Sequence, residues 1–151
     1  MTRNKWIAVA VGIALVAFFL YGNVIMNLFR NPNPAPMQQQ SGVTVEDVVV
    51  GQGQEAQPGD TILVDYVGSF PSGQVFDSSK DRNQPLTLVL GRGQVIRGWD
   101  EGLVGMKEGG VRRLTVYPDY GYGPNDYGPI PGNSTLIFEV ELKSVTKPAT
   151  Q

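Results

Sequence analysis

The sequence predicts an α+β domain, in which one short α-helix packs on one face of a twisted antiparallel β-sheet, preceded by a single transmembrane helix. From Val43 onward, apolar and polar residues alternate in several segments, which is typical of half-buried antiparallel strands. One segment, residues 96–104, has its apolar residues at helical spacing instead. Residues 6–29 contain no charged side chain and are long enough to cross a membrane.

The predicted strands each carry apolar residues at every second position, and glycine- or proline-containing turns separate them. Side chains at alternate positions of a strand share one face, so we expect these residues to face the core. The sets are Ile62, Val64 and Tyr66; Leu86, Leu88 and Leu90; Leu114 and Val116; and Leu136, Phe138, Val140 and Leu142.

The predicted helix has Ile96, Trp99 and Leu103 on one face, because residues three and four positions apart are neighbours on a helix surface. We expect this helix to end before Gly105, since glycine commonly follows the last turn of a helix. A single helix packed on one face of an antiparallel sheet is an α+β arrangement.

The apolar segment 6–29 has the features of a membrane anchor. As a helix, its 24 residues would extend ~36 Å, which exceeds the ~30 Å thickness of a hydrocarbon core. Trp6 and Tyr21 bracket its most apolar part, as interfacial aromatic residues do. Arg3 and Lys5 precede it, so the positive-inside rule predicts a cytoplasmic N-terminus and an extracytoplasmic C-terminal domain.

A cleaved secretory signal is the alternative to this anchor. The charged N-terminus and apolar core fit both, but no Ala-x-Ala-like cleavage site follows Leu20, and an uncleaved anchor is favoured.

Residues 30–42 contain three prolines, which predicts an extended linker. The sequence therefore divides into a cytoplasmic tip and anchor (1–29), a Pro/Gln-rich linker (30–42), a folded domain (43–147) and a tail (148–151).

Composition excludes several classes of function. The chain has no cysteine and no histidine, which removes thiol nucleophiles, disulfides and the commonest metal ligand and general base. No acidic segment has calcium-loop spacing, so we expect no metal and no cofactor. Residues 43–151 carry nine Lys/Arg and fourteen Asp/Glu, a net charge of −5, and this argues against nucleic-acid binding.

Four separated motifs carry a family resemblance. They are Gln-Val-Phe-Asp-Ser-Ser at 74–79, Gly-Gln-Val-Ile-Arg-Gly-Trp-Asp-Glu-Gly-Leu at 93–103, Pro-Asp-Tyr-Gly-Tyr-Gly at 118–123 and Ile-Pro-Gly-Asn-Ser-Thr-Leu-Ile-Phe-Glu-Val-Glu-Leu at 130–142. In this order and at this spacing they resemble the FKBP-type peptidyl-prolyl cis-trans isomerases over residues 43–145. The resemblance implies a five- to six-stranded antiparallel sheet wrapped around one short helix, with proline-containing polypeptides as substrates.

The resemblance also implies a pocket, residue by residue. Trp99 would form its floor, and Tyr66, Phe76 and Phe138 would form its walls. The Ile96 N–H and the Tyr122 hydroxyl would donate to substrate carbonyls, and Asp77, held by Arg82 and Tyr66, would lie near the twisting amide. The catalytic residues would then be Asp77, Tyr122, Phe76 and Ile96, and the substrate-binding residues Tyr66, Leu88, Val95, Trp99, Ile130 and Phe138.

Two departures from the family are visible at Leu86 and Leu88, where members commonly carry phenylalanine. A less aromatic pocket edge argues against tight binding of macrolides of the rapamycin type, which the resemblance implies as further ligands. We expect a monomeric, membrane-tethered isomerase that assists the folding of exported or membrane-proximal proteins. A proline-binding module or chaperone with little turnover is the alternative, and a purely structural anchored protein is disfavoured by the complete pocket.

Overall fold

The computed structural model describes residues 41–149 and contains, within that range, a six-stranded antiparallel sheet and short helical segments. The strands are β1 (Val43–Val49), β2 (Thr61–Ser69), β3 (Val75–Ser78), β4 (Leu86–Val89), β5 (Val111–Val116) and β6 (Leu136–Thr146). The helices are α1 (Ser79–Arg82) and α2 (Arg97–Gly102), and Pro118–Tyr120 forms a 3₁₀ turn.

The predicted transmembrane segment, residues 6–29, lies outside the described residues, as does the linker up to residue 40. Between residues 41 and 149, the structure contains no helix that is long and apolar enough to cross a membrane.

The sheet has the strand order β1-β5-β6-β2-β3, and β4 also pairs with β2. One edge of β2 is paired with β6 along its whole length, from Thr61 to Ser69. The other edge is shared, because β4 pairs with the first four residues of β2 and β3 pairs with the last three. Helix α1 contacts β2 between these two partners, so the sheet is interrupted at that point.

The core lies between the sheet and α2, and the predicted apolar strand faces are confirmed. Along β2, buried and partly exposed residues alternate without exception, and the same pattern continues in β5 and most of β6. A register shift between Leu63 and Val64 places one extra residue in β6, after which Val145 is also buried. The fully buried residues include Ile62, Val64, Leu90, Leu103, Leu114, Leu136, Val140 and Leu142.

Two glycines allow α2 to lie unusually close to β5. A Cβ atom placed on Gly98 would lie 2.6 Å from Val116 Cγ1, and one on Gly102 would lie 2.9 Å from Leu114 Cδ2. Real side chains do not approach so closely, and any larger residue would push the helix away from the sheet. Trp99, which directly follows Gly98, is thereby held in the core, where it is 3% exposed.

The helix prediction was right in place but wrong in extent. Helix α2 begins at Arg97, because Ile96 has extended backbone angles (φ −58°, ψ 150°), and it ends at Gly102 rather than at residue 104. Helix α1 was not predicted at all. It is a single turn whose N-terminus is capped by the Ser78 hydroxyl, which accepts from the Asp81 N–H at 3.2 Å. One turn is too short for apolar periodicity to reveal it.

Arg112 is a buried charge that joins three elements. Its Nη1 donates to the carbonyl oxygens of Gly102 (2.9 Å) and Val104 (3.0 Å), so it satisfies the C-terminal end of α2. Its Nε and Nη2 donate to the two carboxylate oxygens of Asp47 in β1, at 2.6 and 3.1 Å. Arginine can serve all of these acceptors because its guanidinium group is planar and carries five donors.

We expect replacement of Arg112 to destabilise the fold far more than replacement of its neighbour Arg113. Arg112→Met removes four charge-assisted hydrogen bonds from a buried site and should lower the free energy of unfolding by roughly 2–4 kcal/mol. The Arg113 side chain is 45% exposed, and its ion pairs with Glu46 and Glu139 are long, at 3.6 Å each. Arg113→Met should therefore lower the free energy of unfolding by about 1 kcal/mol or less. Urea titrations of both variants measure the difference, and equal losses would contradict it.

Candidate functional site

An open cavity of about 150 Å³ lies above Trp99. Its walls come from β2, β3, β4, β6, the start of α2 with the loop before it, and the loop after the 3₁₀ turn. Lining residues are Tyr66, Phe76, Asp77, Leu86, Gln94, Val95, Ile96, Trp99, Tyr122 and Phe138. The cavity therefore combines an aromatic interior with one carboxylate and a few polar groups.

Edge-to-face contacts between aromatic rings fix the shape of the cavity. The Trp99 ring centroid lies 5.1 Å from that of Tyr66 and 5.3 Å from that of Phe138, with the rings nearly perpendicular in both pairs. Phe76 makes a third perpendicular contact with Phe138, at 5.7 Å. The Trp99 Nε1 is buried and has no hydrogen-bond partner among the described residues. The floor is thus held by packing, and such aromatic pairs favour this perpendicular geometry.

Asp77 is held on one wall by a compact hydrogen-bond network. Its Oδ2 accepts from the Tyr66 hydroxyl at 2.5 Å, and its Oδ1 accepts from the Ser78 N–H at 2.9 Å. Arg82, in α1, donates to Asp77 Oδ1 through Nη1 and to the Tyr66 hydroxyl oxygen through Nη2, at 3.2 Å. The carboxylate is therefore fixed in direction from three sides.

The network keeps Asp77 ionised and Tyr66 protonated. Burial by itself would raise the pKa of Asp77, but the hydrogen bonds from Tyr66 and Arg82 outweigh it and hold that pKa below its ordinary value. Burial raises the pKa of Tyr66, and so does its hydrogen bond to Asp77. A fixed negative charge thus stands at the cavity wall throughout the neutral range.

Ser79 repairs the interruption in the sheet directly behind this wall. Its hydroxyl oxygen accepts from the Tyr66 N–H at 2.8 Å, where no strand pairs with that edge of β2. The same hydroxyl donates to Asp65 Oδ1 at 2.9 Å, and the residue is completely buried. A side chain thus replaces the missing backbone partner, because a buried N–H without one would be costly.

Two further lining residues, Ile96 and Tyr122, carry hydrogen-bond donors. Ile96 carries a backbone N–H that donates to no other described residue, and the loop before it is held by Asp100, whose carboxylate accepts from the Gly91 (2.9 Å) and Gly93 (2.7 Å) N–H groups. Burial raises the pKa of the Tyr122 hydroxyl, with smaller contributions from Tyr127 and Asp77. The hydroxyl is therefore protonated at neutral pH and able to donate.

The structure brings eight of the predicted pocket residues to the cavity, with Arg82 directly behind them. Leu88 and Ile130, predicted to bind substrate, do not line it. They are 3% and 4% exposed and belong to the core. Leu88 follows Leu86 on the same face of β4 but lies deeper, so Leu86 is the residue that reaches the cavity. The resemblance that implied a pocket role gives a position in the chain but not its depth in the fold.

Gln94 also lines the cavity, although the sequence did not predict it. Its Oε1 accepts from the Val89 N–H at 2.8 Å, which ties the end of β4 to the loop before α2. Its position directly before Val95 and Ile96 was the available signal, but glutamine in a glycine-rich loop reads as an ordinary polar residue.

This arrangement is suited to holding an apolar, ring-shaped group next to hydrogen-bond donors. Within residues 41–149, no group of three or more acidic residues is placed to hold a metal ion. A half-open apolar pocket with a few placed polar groups is the usual form of a binding site for a small molecule or a peptide side chain.

Comparisons with known proteins identify the family. The sequence model of FKBP-type peptidyl-prolyl cis-trans isomerases matches residues 52–143. The chain is 55% identical over 105 residues to an FK506-binding protein of Neisseria meningitidis serogroup B, covering 69% of this chain and 96% of the relative. It is 48% identical over 106 residues to a peptidyl-prolyl cis-trans isomerase of Schizosaccharomyces pombe, covering 69% and 95% respectively.

Solved structures agree with this assignment. The crystal structure of AtFKBP13 aligns with 68% of this chain and 91% of that chain, at a TM-score of 0.64 and 39% sequence identity. The chain belongs to the FKBP-type peptidyl-prolyl cis-trans isomerases, and it is an enzyme that accelerates rotation about Xaa-Pro bonds.

The Asp77 network predicts a defined pH dependence of stability. The native pKa of Asp77 lies below that of the unfolded chain, about 3.9, so its stabilising effect is present above that pH and is lost as the pH falls through the native pKa. Asp77→Asn should therefore lower the free energy of unfolding by a constant amount between about pH 5 and pH 8, and the difference from the parent should shrink below about pH 4. Urea unfolding across this range measures it, and a difference that grew on acidification would be inconsistent with the network.

Proposed function

We propose that the cavity above Trp99 is the isomerase site and that it works without a covalent intermediate. Rotation about an Xaa-Pro bond has a barrier of about 18–20 kcal/mol, because the planar C–N bond has partial double-bond character. The twisted state has lost this conjugation, so its carbonyl carries less negative charge than that of the planar imide. Surroundings that withhold water from the imide carbonyl therefore favour the twisted state relative to the planar one.

Each part of the site has a role in this proposal. The proline ring rests on Trp99, and Phe76 and Phe138 exclude water at its sides. The N–H of Ile96 and the hydroxyl of Tyr122 bind flanking carbonyl oxygens and orient the chain. The fixed Asp77 carboxylate faces the twisting amide. The proposal rests on one observation, which is that all of these groups line a single cavity of about 150 Å³.

Substitutions at the cavity test these roles. Phe76→Ala removes an apolar wall and should lower kcat/KM for an Xaa-Pro peptide by about tenfold or more. Tyr122→Phe removes a single hydrogen bond, worth about 0.5–1.5 kcal/mol, and should cost roughly tenfold at most. Val75→Ala is a matched control, because Val75 precedes Phe76 in β3, is half-exposed and does not line the cavity.

A protease-coupled or exchange-NMR isomerisation assay of the full chain gives these rates, with circular dichroism confirming that each variant folds. Unchanged rates in folded Phe76→Ala and Tyr122→Phe would show that the site lies elsewhere. A normal affinity for proline peptides with negligible turnover in the parent would instead indicate a binding module.

Macrolides of the FK506 type are proposed as weak ligands of the same cavity. Relatives of this chain are named FK506-binding proteins. The cavity edge formed by Leu86 is aliphatic, whereas the family resemblance places an aromatic ring there. A smaller contact area should lower the affinity.

The proposed location is the outer side of a membrane, with residues 6–29 as an uncleaved anchor and exported proteins as clients. Support comes from the uncharged apolar segment, the basic residues Arg3 and Lys5 before it, and the absence of a small-residue cleavage motif after Leu20. The linker of residues 30–42 would hold the catalytic domain clear of the lipid headgroups.

A reporter that is active only after export, fused behind Gln151, should be active in cells. A reporter that works only in the cytoplasm should be silent at the same position. The reverse pattern would refute the topology, and recovery of a mature protein that lacks residues 1–25 would show a cleaved signal instead of an anchor.

A further inference from the structure

The loop after the 3₁₀ turn contains an exposed aromatic residue that the isomerase site, as described above, does not use. Tyr127 is 60% exposed, yet its ring is stacked on that of Tyr122, with centroids 4.3 Å apart and planes only 13° from parallel. Tyr122 lines the cavity, whereas Tyr127 does not. An exposed tyrosine side chain can usually change its rotamer freely. The stacked contact with Tyr122 therefore depends on a loop that holds the Tyr127 backbone in place.

The loop is braced in a way that fixes the Tyr127 ring. The Tyr127 N–H donates to the Ile130 carbonyl (2.8 Å), and the Ile130 N–H donates back to the Tyr127 carbonyl (2.9 Å). The two residues between them are Gly128, whose φ of +55° lies in the left-handed region that favours glycine, and Pro129. Ile130 is 4% exposed and anchors this turn in the core.

A second set of hydrogen bonds closes the base of the same loop. The Asn133 N–H donates to the Gly123 carbonyl, and the Gly132 N–H donates to Asp126 Oδ1, both at 2.8 Å. A Cβ on Gly132 would lie 2.1 Å from the Pro124 carbonyl oxygen, so the two sides of the loop touch. The loop thus presents Tyr127 from a rigid base, to which the buried Ile130 contributes.

We propose that Tyr127 is a positioning residue for catalysis, which holds the ring of Tyr122 so that its hydroxyl points at the substrate carbonyl. The stacked ring covers one face of Tyr122 and restricts the rotation of its side chain, while leaving the hydroxyl free to donate. No hydrogen bond among the described residues holds that hydroxyl, so ring packing is what directs it. The inference rests on the proposed donor role of Tyr122.

The test compares kcat/KM of the full chain in a set of variants. Tyr127→Ala should lower kcat/KM by about the same factor as Tyr122→Phe, roughly three- to tenfold. In the double variant the two effects should not add, because each removes the same oriented hydrogen bond. Tyr127→Phe keeps the stacked ring and should stay within about twofold of the parent, whereas Tyr127→Leu keeps apolar bulk without the ring and should behave like Tyr127→Ala.

The pKa of Tyr122 provides a second measurement that does not depend on activity. Since burial raises the pKa of Tyr122, uncovering its ring in Tyr127→Ala should lower that pKa, and NMR titration of ¹³C-labelled tyrosine measures the change. Val50→Ala, at another exposed apolar residue, controls for nonspecific effects of surface truncation.

The outcomes separate the two proposals. Full activity in Tyr122→Phe would overturn the donor role of Tyr122 and the positioning role with it. Loss in Tyr122→Phe combined with full activity in Tyr127→Ala, or with strictly additive losses in the double variant, would overturn the positioning role alone. Non-additive losses, rescue by Tyr127→Phe and a lowered Tyr122 pKa would establish it.

Discussion

The close packing of α2 against β5 is the constraint on which the rest of the molecule depends. Gly98 and Gly102 bring the helix within contact of Val116 and Leu114, and this places Trp99 beneath the cavity at a fixed height. The rings of Tyr66 and Phe138 then pack against Trp99 at right angles. Arg112 holds the far end of the same helix to β1. The floor of the cavity is thus a consequence of core packing.

Polar groups at the site act as parts of connected structures and not as separate residues. Asp77 belongs to β3, Arg82 to α1 and Tyr66 to β2, yet their hydrogen bonds form a single unit behind the cavity wall. In a similar way, the Tyr122 ring is stacked on the Tyr127 ring, and Tyr127 is tied to Ile130 by two backbone hydrogen bonds. Such preorganisation suits a reaction that needs a dry, oriented environment and no nucleophile, because the protein does not have to rearrange as the bond twists.

The sequence predicted the fold well where apolar residues recur at a regular spacing, and poorly where they do not. Alternation in β2, β5 and β6 identified the core faces, since the period of a strand is set by its backbone. The family motifs identified eight lining residues. Leu88 and Ile130 were assigned to the pocket because resemblance gives a position in the chain but not its depth. Helix α1 escaped prediction because a single turn shows no apolar periodicity. The roles of Arg112 and Ser79 escaped prediction because their partners are distant in sequence.

The interruption of the sheet beside Tyr66 has a consequence for how natural variants of this protein should be interpreted. Ser79 is fully buried and does not line the cavity, but its hydroxyl takes the place of a strand behind the cavity wall. Loss of that oxygen would leave the Tyr66 amide without a partner and loosen the strand that carries a cavity wall. Position 79 should therefore tolerate change no better than the residues that line the cavity, and a survey of variants confined to those residues would overlook it.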